Sequence, residues 1–488
     1  MSGKHKFRWF REDLCDQCGD CFRKCPVLNL SEQAAKKEIQ TLIDSDTDNS
    51  LAFKLCTTCN VCDVVCPRHA YPYELILERF NEYGTEHGLP FLAKLVLPNE
   101  PENIWSNLRL LMDEDELSLL RSWEQNLHSK KKQILLTGFY TNIVPYLASG
   151  KILDELRPVI AGSEGLWGCG GDSNKLGRIE LTEQIIELLQ KQFERMGVEK
   201  VYCFMEAEAA MLAEILPQRF GARFNCEVLP LDYWILEKLE RGEVNIVNKV
   251  NRKVTVHDNC MSRYLDGKPQ DVVRSIVTLT GCEIVEMEHN HFNGLCCGWA
   301  ATIPTLYGKG SGNPFGALMY LLHSLYRRLQ EAEATGAGIL VTSCPACYIF
   351  LSMIKQLTGS KIEVYHPLEM VQLATGEPCI SKTPQRCWDI LAVATNIVLK
   401  RTFSRKHGKR FLPKRIGPGV IQSLPRPPER DASRLKAIAR IYRSPVVQNH
   451  VSRVLIASAT KTAIAAYRVK LRKSGVRLEV PRSQIRTR

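Results

Sequence analysis

The stretch CDQCGDCFRKCP, from Cys15 to Pro26, decides the fold of the first part of the chain, and its pattern returns as CTTCNVCDVVCP from Cys56 to Pro67. In both, the cysteines stand at spacings of x2, x2 and x3, and a proline follows the last. Three thiolates on one tight loop can cap three iron corners of a cube while the loop's amides donate to its sulfides, so the pattern points to two 4Fe-4S cubane clusters. Zinc is the competing account, because paired CxxC units suit tetrahedral zinc. Zinc needs only two pairs per site, whereas each run here has a third cysteine in register and a following proline.

Both runs resemble the bacterial ferredoxin motif, in which the cysteine before proline ligates the neighbouring cluster. The resemblance implies cluster one on Cys15, Cys18, Cys21 and Cys66, and cluster two on Cys56, Cys59, Cys62 and Cys25. Between the runs, 30–46 reads as a helix, with Leu28, Ala34, Ala35, Ile39 and Leu42 on one side. A helix inserted there is more similar to the α-helical ferredoxin of succinate dehydrogenase and heterodisulfide reductase subunits than to the small β-rich ferredoxin.

Further along, two copies of one unit appear, at 132–244 and 253–377. Each opens on an apolar strand (Ile134 to Thr137, Val254 to Val256), passes a Gly-rich turn (Gly165 to Gly171, Gly294 to Gly298) and a helix, and reaches a second strand (Val198 to Phe204, Gly338 to Ser343). Each closes on a helix, at Leu231 to Glu237 or His366 to Val371. Strands alternating with helices imply parallel α/β layers whose strand-end loops are free to carry chemistry. The cysteines of the second copy fall on those loops: Cys260, the pair Cys296 and Cys297 before Gly298, and Cys344 with Cys347. Buried structural thiols are the plainer account, but adjacent cysteines cannot both face one core from a strand, so metal ligation is the expectation.

These residues resemble the cysteine-rich CCG domain, through His257 to Arg263, Glu286 and Asn290 ahead of Cys296-Cys297-Gly298, and Thr342 to Cys347. With the ferredoxin segment in front, the order looks like the fused heterodisulfide reductase subunit and the iron–sulfur subunits of anaerobic glycerol-3-phosphate dehydrogenase and glycolate oxidase. The resemblance implies a third, non-cubane 4Fe-4S cluster on Cys260, Cys296, Cys297, Cys344 and Cys347. The gap from Gly298 to Cys344 is longer than the family pattern, so an insertion is expected around Tyr307 to Phe315. The first copy reads as degenerate and structural: Phe139 stands for Cys260, Gly168 for the first cysteine of the pair and Glu206 for the last of the CPxC, leaving only Cys169 and Cys203.

Other features carry less. Gly308, Gly310 and Gly312 lack the strand and the GK[ST] ending of a nucleotide loop. Cys226, Cys282, Cys379 and Cys387 stand alone and read as buried thiols. His257, His289 and His291 flank the third cysteine set and could donate to sulfur or deliver protons.

At 488 residues and 44% hydrophobic content, the chain can bury a real core. Its 19 cysteines, with no export signal at the start, suit thiolates and metal in a reducing compartment rather than disulfides. No run is long enough to span a bilayer; the nearest, Ile390 to Leu399, is too short. Residues 381–488 hold 26 Lys and Arg against 4 Asp and Glu, so this tail is a separate, basic object on an otherwise acidic chain. It suits an acidic partner or a membrane surface better than nucleic acid, because it lacks interleaved aromatics or a nucleic-acid motif.

The expected architecture is α+β overall: an α-helical ferredoxin-like domain at 1–90, a helical linker at 91–132, a degenerate CCG-type α/β repeat at 133–250, an intact one at 251–380 and a basic, partly helical extension at 381–488. No flavin or nicotinamide motif is present, so hydride chemistry falls to another subunit. The expected function is a cytoplasmic iron–sulfur subunit, peripheral on the inner face of the membrane, relaying electrons between a flavoprotein dehydrogenase and a quinone or disulfide acceptor. The alternative is a disulfide reductase acting at the third cluster. A nucleic-acid-binding protein with structural clusters is suggested only by the tail.

Overall fold

The computed structural model describes residues 6–159, 168–265, 268–299, 314–379, 381–403, 410–413 and 424–478. Most of the insertion expected at Tyr307 to Phe315, the Gly308 to Gly312 loop and the start of the first Gly-rich turn lie outside the described residues.

The two cysteine runs sit on helical turns. Each leads into a short helix, Asp20–Arg23 or Val61–Val65, and the longer helices Glu32–Ile43 and Pro72–His87 pack against these. The first of the longer pair is the expected intervening helix, trimmed at both ends. Ser31 caps it by accepting from Ala34 N, and Ala35, Ile39 and Leu42 are buried. No strand occurs in this region among the described residues. The helices Ile104–Arg109 and Glu114–Asn126 follow, the latter started by a capping box of Asp113 and Glu116.

Two four-stranded parallel sheets come next. β1 (Gln133–Leu136), β2 (Pro158–Val159), β3 (Lys200–Cys203) and β4 (Glu227–Pro230) lie in the order β2-β1-β3-β4. β5 (Lys253–Val256), β6 (Glu283–Ile284), β7 (Ile339–Val341) and β8 (Glu363–Tyr365) repeat it as β6-β5-β7-β8. Two strands per copy were legible in the sequence; each copy has four. The central strands are apolar on both faces, as parallel strands covered by helices on both sides must be. In this order the connections leave the first and third strands of each sheet in opposite directions, opening a crevice at their carboxyl ends.

Strand pairing corrects the alignment of the copies. Leu136 pairs with Cys203 where Val256 pairs with Val341, so Cys203 is a core strand residue and no remnant of the cysteine set. By the same register Tyr140, not Phe139, stands for Cys260, and Glu206 stands for Cys344 rather than Cys347. The apolar run alone hid this, because it does not state which residue ends the ladder.

The tail is not a separate object. The helix Thr383–Phe403 buries Trp388, Ile390, Val393 and Ile397 against the body, and the helix His450–Lys473 packs on Pro314–Ala334 and Pro345–Thr358. Its cations meet acids of the body: Lys400 Nζ lies 2.6 Å from Glu102, and Arg386 pairs with Glu116 where both are buried. The fold class is α+β, with a helical ferredoxin domain, the duplicated α/β unit and a basic, partly helical tail.

Arg219, on the helix Leu216–Phe220 of the first repeat, ties that repeat to the ferredoxin domain by pairing with Glu74 at 2.5 Å and Asp63 at 3.4 Å, all three largely buried. Burial pushes both carboxyls up in spite of the guanidinium. Arg219→Leu strands them without a partner and is expected to cost roughly 3 kcal/mol. Anaerobic urea unfolding measures this, and Arg219→Lys should recover only part of the loss, because an ammonium cannot fork to both acids.

Candidate metal centres

The two ferredoxin loops share one backbone design. Gln17 and Gly19 in the first, and Thr58 and Asn60 in the second, have φ of 54°, 76°, 51° and 56°, so equivalent positions turn successive amides into a concave cradle. Gly19 is obligatory because a Cβ there would fall 2.6 Å from Lys36 N. Amides already reach sulfur: Thr58 N donates to Cys56 Sγ at 3.2 Å, and Ala70 N to Cys66 Sγ at 3.4 Å. Cys15, Cys18, Cys21 and Cys66 line one cavity. Cys25 falls with the other set: burial, then the charge of Cys59, pushes its thiol up to about 12. The Oγ1 atoms of Thr57 and Thr58 and the amide of Asn60 are buried without partners, as donors left for the sulfurs of a bound cluster would be.

The third set gathers at the crevice of the second sheet. Cys260 opens the turn Cys260–Tyr264 after β5, and Cys344 caps the helix Pro345–Thr358, whose first turn carries Cys347. Between them comes the loop with Cys296 and Cys297, where Gly298 has φ +91° and a Cβ would fall on Ser324. The sulfurs form a linked chain. Cys260 contacts Cys296, which contacts Cys297; Cys347 Sγ lies 3.3 Å from Cys297 Sγ; and Cys344 contacts Cys347. Hydrogen bonds from Cys296 and Cys347 bring the Cys297 thiol down to about 5. Cys344 is lowered by the Cys347 thiol and by amides of its helix.

His257 belongs to this group, with a ring nitrogen, Cys297 Sγ and Cys347 Sγ all within 4.8 Å of one another. Arg328 Nε donates to His257 Nδ1 at 2.8 Å. Arginine can only donate, and burial, then Arg328, holds the imidazole neutral with its pKa down at about 3, so the ring proton sits on Nε2. That nitrogen is buried without a partner, as is Asn259 Nδ2. The set therefore offers five clustered sulfurs with side-chain N–H donors beside them, which suits a sulfide-bearing group. His289 and His291 serve elsewhere, on Glu331 and Asp271.

The opposite wall comes from the first repeat. One cavity of about 90 Å³ is lined by all five cysteines together with Tyr140, Cys169, Asp172 and Lys175. Tyr140 Oη donates to Asp172 at 3.1 Å and accepts from Trp299 Nε1 at 2.6 Å. None of Tyr140, Asp172, Lys175 or Trp299 was singled out from sequence. Trp299 directly follows the Cys-Cys-Gly, and Asp172 and Lys175 lie on the helix Gly171–Lys175, too short for any periodicity. Cys226, Cys282, Cys379 and Cys387 lie outside the three sets.

Comparison with known proteins agrees with this geometry. Residues 14–70 match the 4Fe-4S dicluster domain family, and residues 254–352 match the cysteine-rich domain family, CCG. One subunit of the dihydromethanophenazine:CoB–CoM heterodisulfide reductase of Methanosarcina barkeri is 23% identical over 417 residues, which cover 75% of this chain and 94% of that one. One subunit of the fumarate reductase (CoM/CoB) of Methanothermobacter marburgensis is 23% identical, over 74% of this chain and 72% of the relative. The EtfAB:quinone oxidoreductase of Syntrophomonas wolfei is 22% identical, over 70% of this chain and 54% of the relative. The chain is thus an iron–sulfur electron-transfer protein that combines a 4Fe-4S dicluster domain with a CCG domain, and it resembles iron–sulfur subunits of oxidoreductase complexes.

If His257 donates rather than ligates, His257→Leu should leave the iron content unchanged and lower the midpoint potential of the third cluster, because a hydrogen bond to sulfur stabilises the reduced state. Iron analysis and an EPR-monitored redox titration read both quantities; a loss of iron would make the histidine a ligand.

Proposed function

We propose that this chain relays electrons within a multisubunit oxidoreductase. In this reading Cys15, Cys18, Cys21 and Cys66 hold one cubane, Cys56, Cys59, Cys62 and Cys25 a second, and Cys260, Cys296, Cys297, Cys344 and Cys347 a non-cubane cluster. The order of the sets in space carries the reading: Cys62 feels the charge of Cys21, and Cys296 feels that of Cys59, so set two stands between sets one and three. When bound, such clusters take up and release single electrons at potentials set by hydrogen bonds, charge and burial.

The first set is the port to a partner. Leu14 and Tyr71, 41% and 44% exposed, lie beside the loops of Cys15 and Cys66. Ion pairs of Arg11 with Asp13 and Arg68 with Asp16 surround them. An apolar centre with a charged rim suits a docking protein, here a flavoprotein dehydrogenase subunit, because the chain has no flavin motif of its own. The third set, with its cavity, is the far end, where a quinone-linked partner or a disulfide meets the chain. Reduction of a disulfide by this chain alone is the second reading. It is favoured by the cavity at the cysteines and by the heterodisulfide reductase among the relatives.

No helix among the described residues is long and apolar enough to cross a membrane. Ile441, Val446, Val451, Val454 and Leu455 are nevertheless exposed, with Arg440, Arg443 and Arg453 close by in sequence. This surface suits peripheral contact with anionic lipid. Flotation with vesicles rich in anionic lipid should carry the protein upward, an effect lost in Val451→Glu/Leu455→Glu and weakened by salt.

Anaerobic iron analysis tests the assignment: about twelve irons per chain for three four-iron clusters, falling to about eight in Cys296→Ser. Eight in the unaltered protein, with the same EPR spectrum in Cys296→Ser, would overturn the third site. Purification of the native complex should bring down a flavoprotein; activity of the isolated chain on disulfides would favour the second reading.

A further inference from the structure

The first repeat has lost its cysteine set, yet its strand-end loops still face the intact one across a shared cavity. What it presents there is a cation. Lys175 lies half-buried in the cavity wall, in the company of Cys260, Cys296 and Cys344, and has no ion-pair partner among the described residues. We propose that Lys175 is the fixed counter-charge of the third cluster, supplied by the degenerate repeat to raise that cluster's reduction potential. This rests on the reading that Cys260 to Cys347 hold a cluster.

The physical case is electrostatic. Reduction adds a negative charge to a buried group that already carries thiolates, and low-dielectric surroundings make that costly. A cation in the same enclosure favours the reduced form more than the oxidised one. Lys175 is only half-buried, so its ammonium keeps contact with water and retains its charge while lining the same cavity as Cys260, Cys296 and Cys344. Asp172, on the same short helix, accepts from Tyr140, which Trp299 in turn anchors to the cysteine loop. The network thus joins the two repeats and sets the ammonium in one cavity with both Asp172 and the sulfurs. Lys175 is in this sense a positioning and tuning residue, acting through charge and not as a ligand.

The test is redox potentiometry of the purified holoprotein, following the third cluster's EPR signal in Lys175→Met and Lys175→Arg. The expected result is about twelve irons per chain in both, a lower midpoint potential for Lys175→Met, a potential near the unaltered one for Lys175→Arg, and unchanged potentials for the two cubanes. A Lys175→Met protein with an intact third signal at the unaltered potential would overturn the proposal. Should the methionine variant fail to assemble the cluster, Lys175→Gln decides: assembly at the unaltered potential overturns the counter-charge, whereas a lowered potential, or no assembly while Lys175→Arg assembles, supports it. About eight irons in the unaltered protein would instead overturn the third cluster itself.

Discussion

Two adjacent guanidinium groups on one buried helix hold the cysteine sets in a common frame. On Pro314–Ala334, Arg327 Nη1 donates to Pro26 O at 2.9 Å, beside Cys25, and Arg328 Nε donates to His257 at the third set. One turn earlier Ser324 lies under Gly298, and two turns earlier Tyr320 Oη donates to Leu55 O, beside Cys56. These four residues span about 12 Å of helix, a rod that cannot shorten or bend cheaply. The separation of the second and third sets is therefore fixed by one secondary-structure element, with no loop to slacken it. Burying two arginines is costly unless carbonyls, a carboxylate and nearby thiolates receive them; Glu331, which pairs with Arg328 at 2.8 Å, completes that set.

The duplication explains where the chemistry lies. Both sheets have the same strand order, so both crevices open at equivalent strand ends, and the repeats bring those ends together. One crevice kept its thiols. The other now offers Tyr140 and Glu206 where Cys260 and Cys344 stand, and Glu206 accepts from Ser343 Oγ at 2.9 Å, stitching the copies together. A buried carboxyl at the position matching Cys344 makes this strand end part of the other copy's support.

What could be read from sequence divides along range. The cysteine runs were legible because their pattern is local, set by spacings of three or four residues, and two such loops packing together bring Cys66 into one cavity with Cys15, Cys18 and Cys21. The helix after the first run was legible from its apolar side. β2 and β6 were not, since two-residue strands leave no pattern. Lys175 was invisible for a different reason: its meaning depends on the facing repeat, more than 80 residues away in sequence. The tail misled because its charge was read without the acids that meet it, Glu102, Asp113 and Glu116 among them.

The three cysteine sets follow one another in space with the Cys56 set in the middle. Pulsed dipolar EPR on the reduced protein tests this order most directly, comparing the unaltered chain with variants that each lack one cluster. The account predicts strong coupling of the middle site to both others and the weakest coupling between the Cys15 set and the Cys260 set. Coupling between those outer sites as strong as either of the others would contradict it.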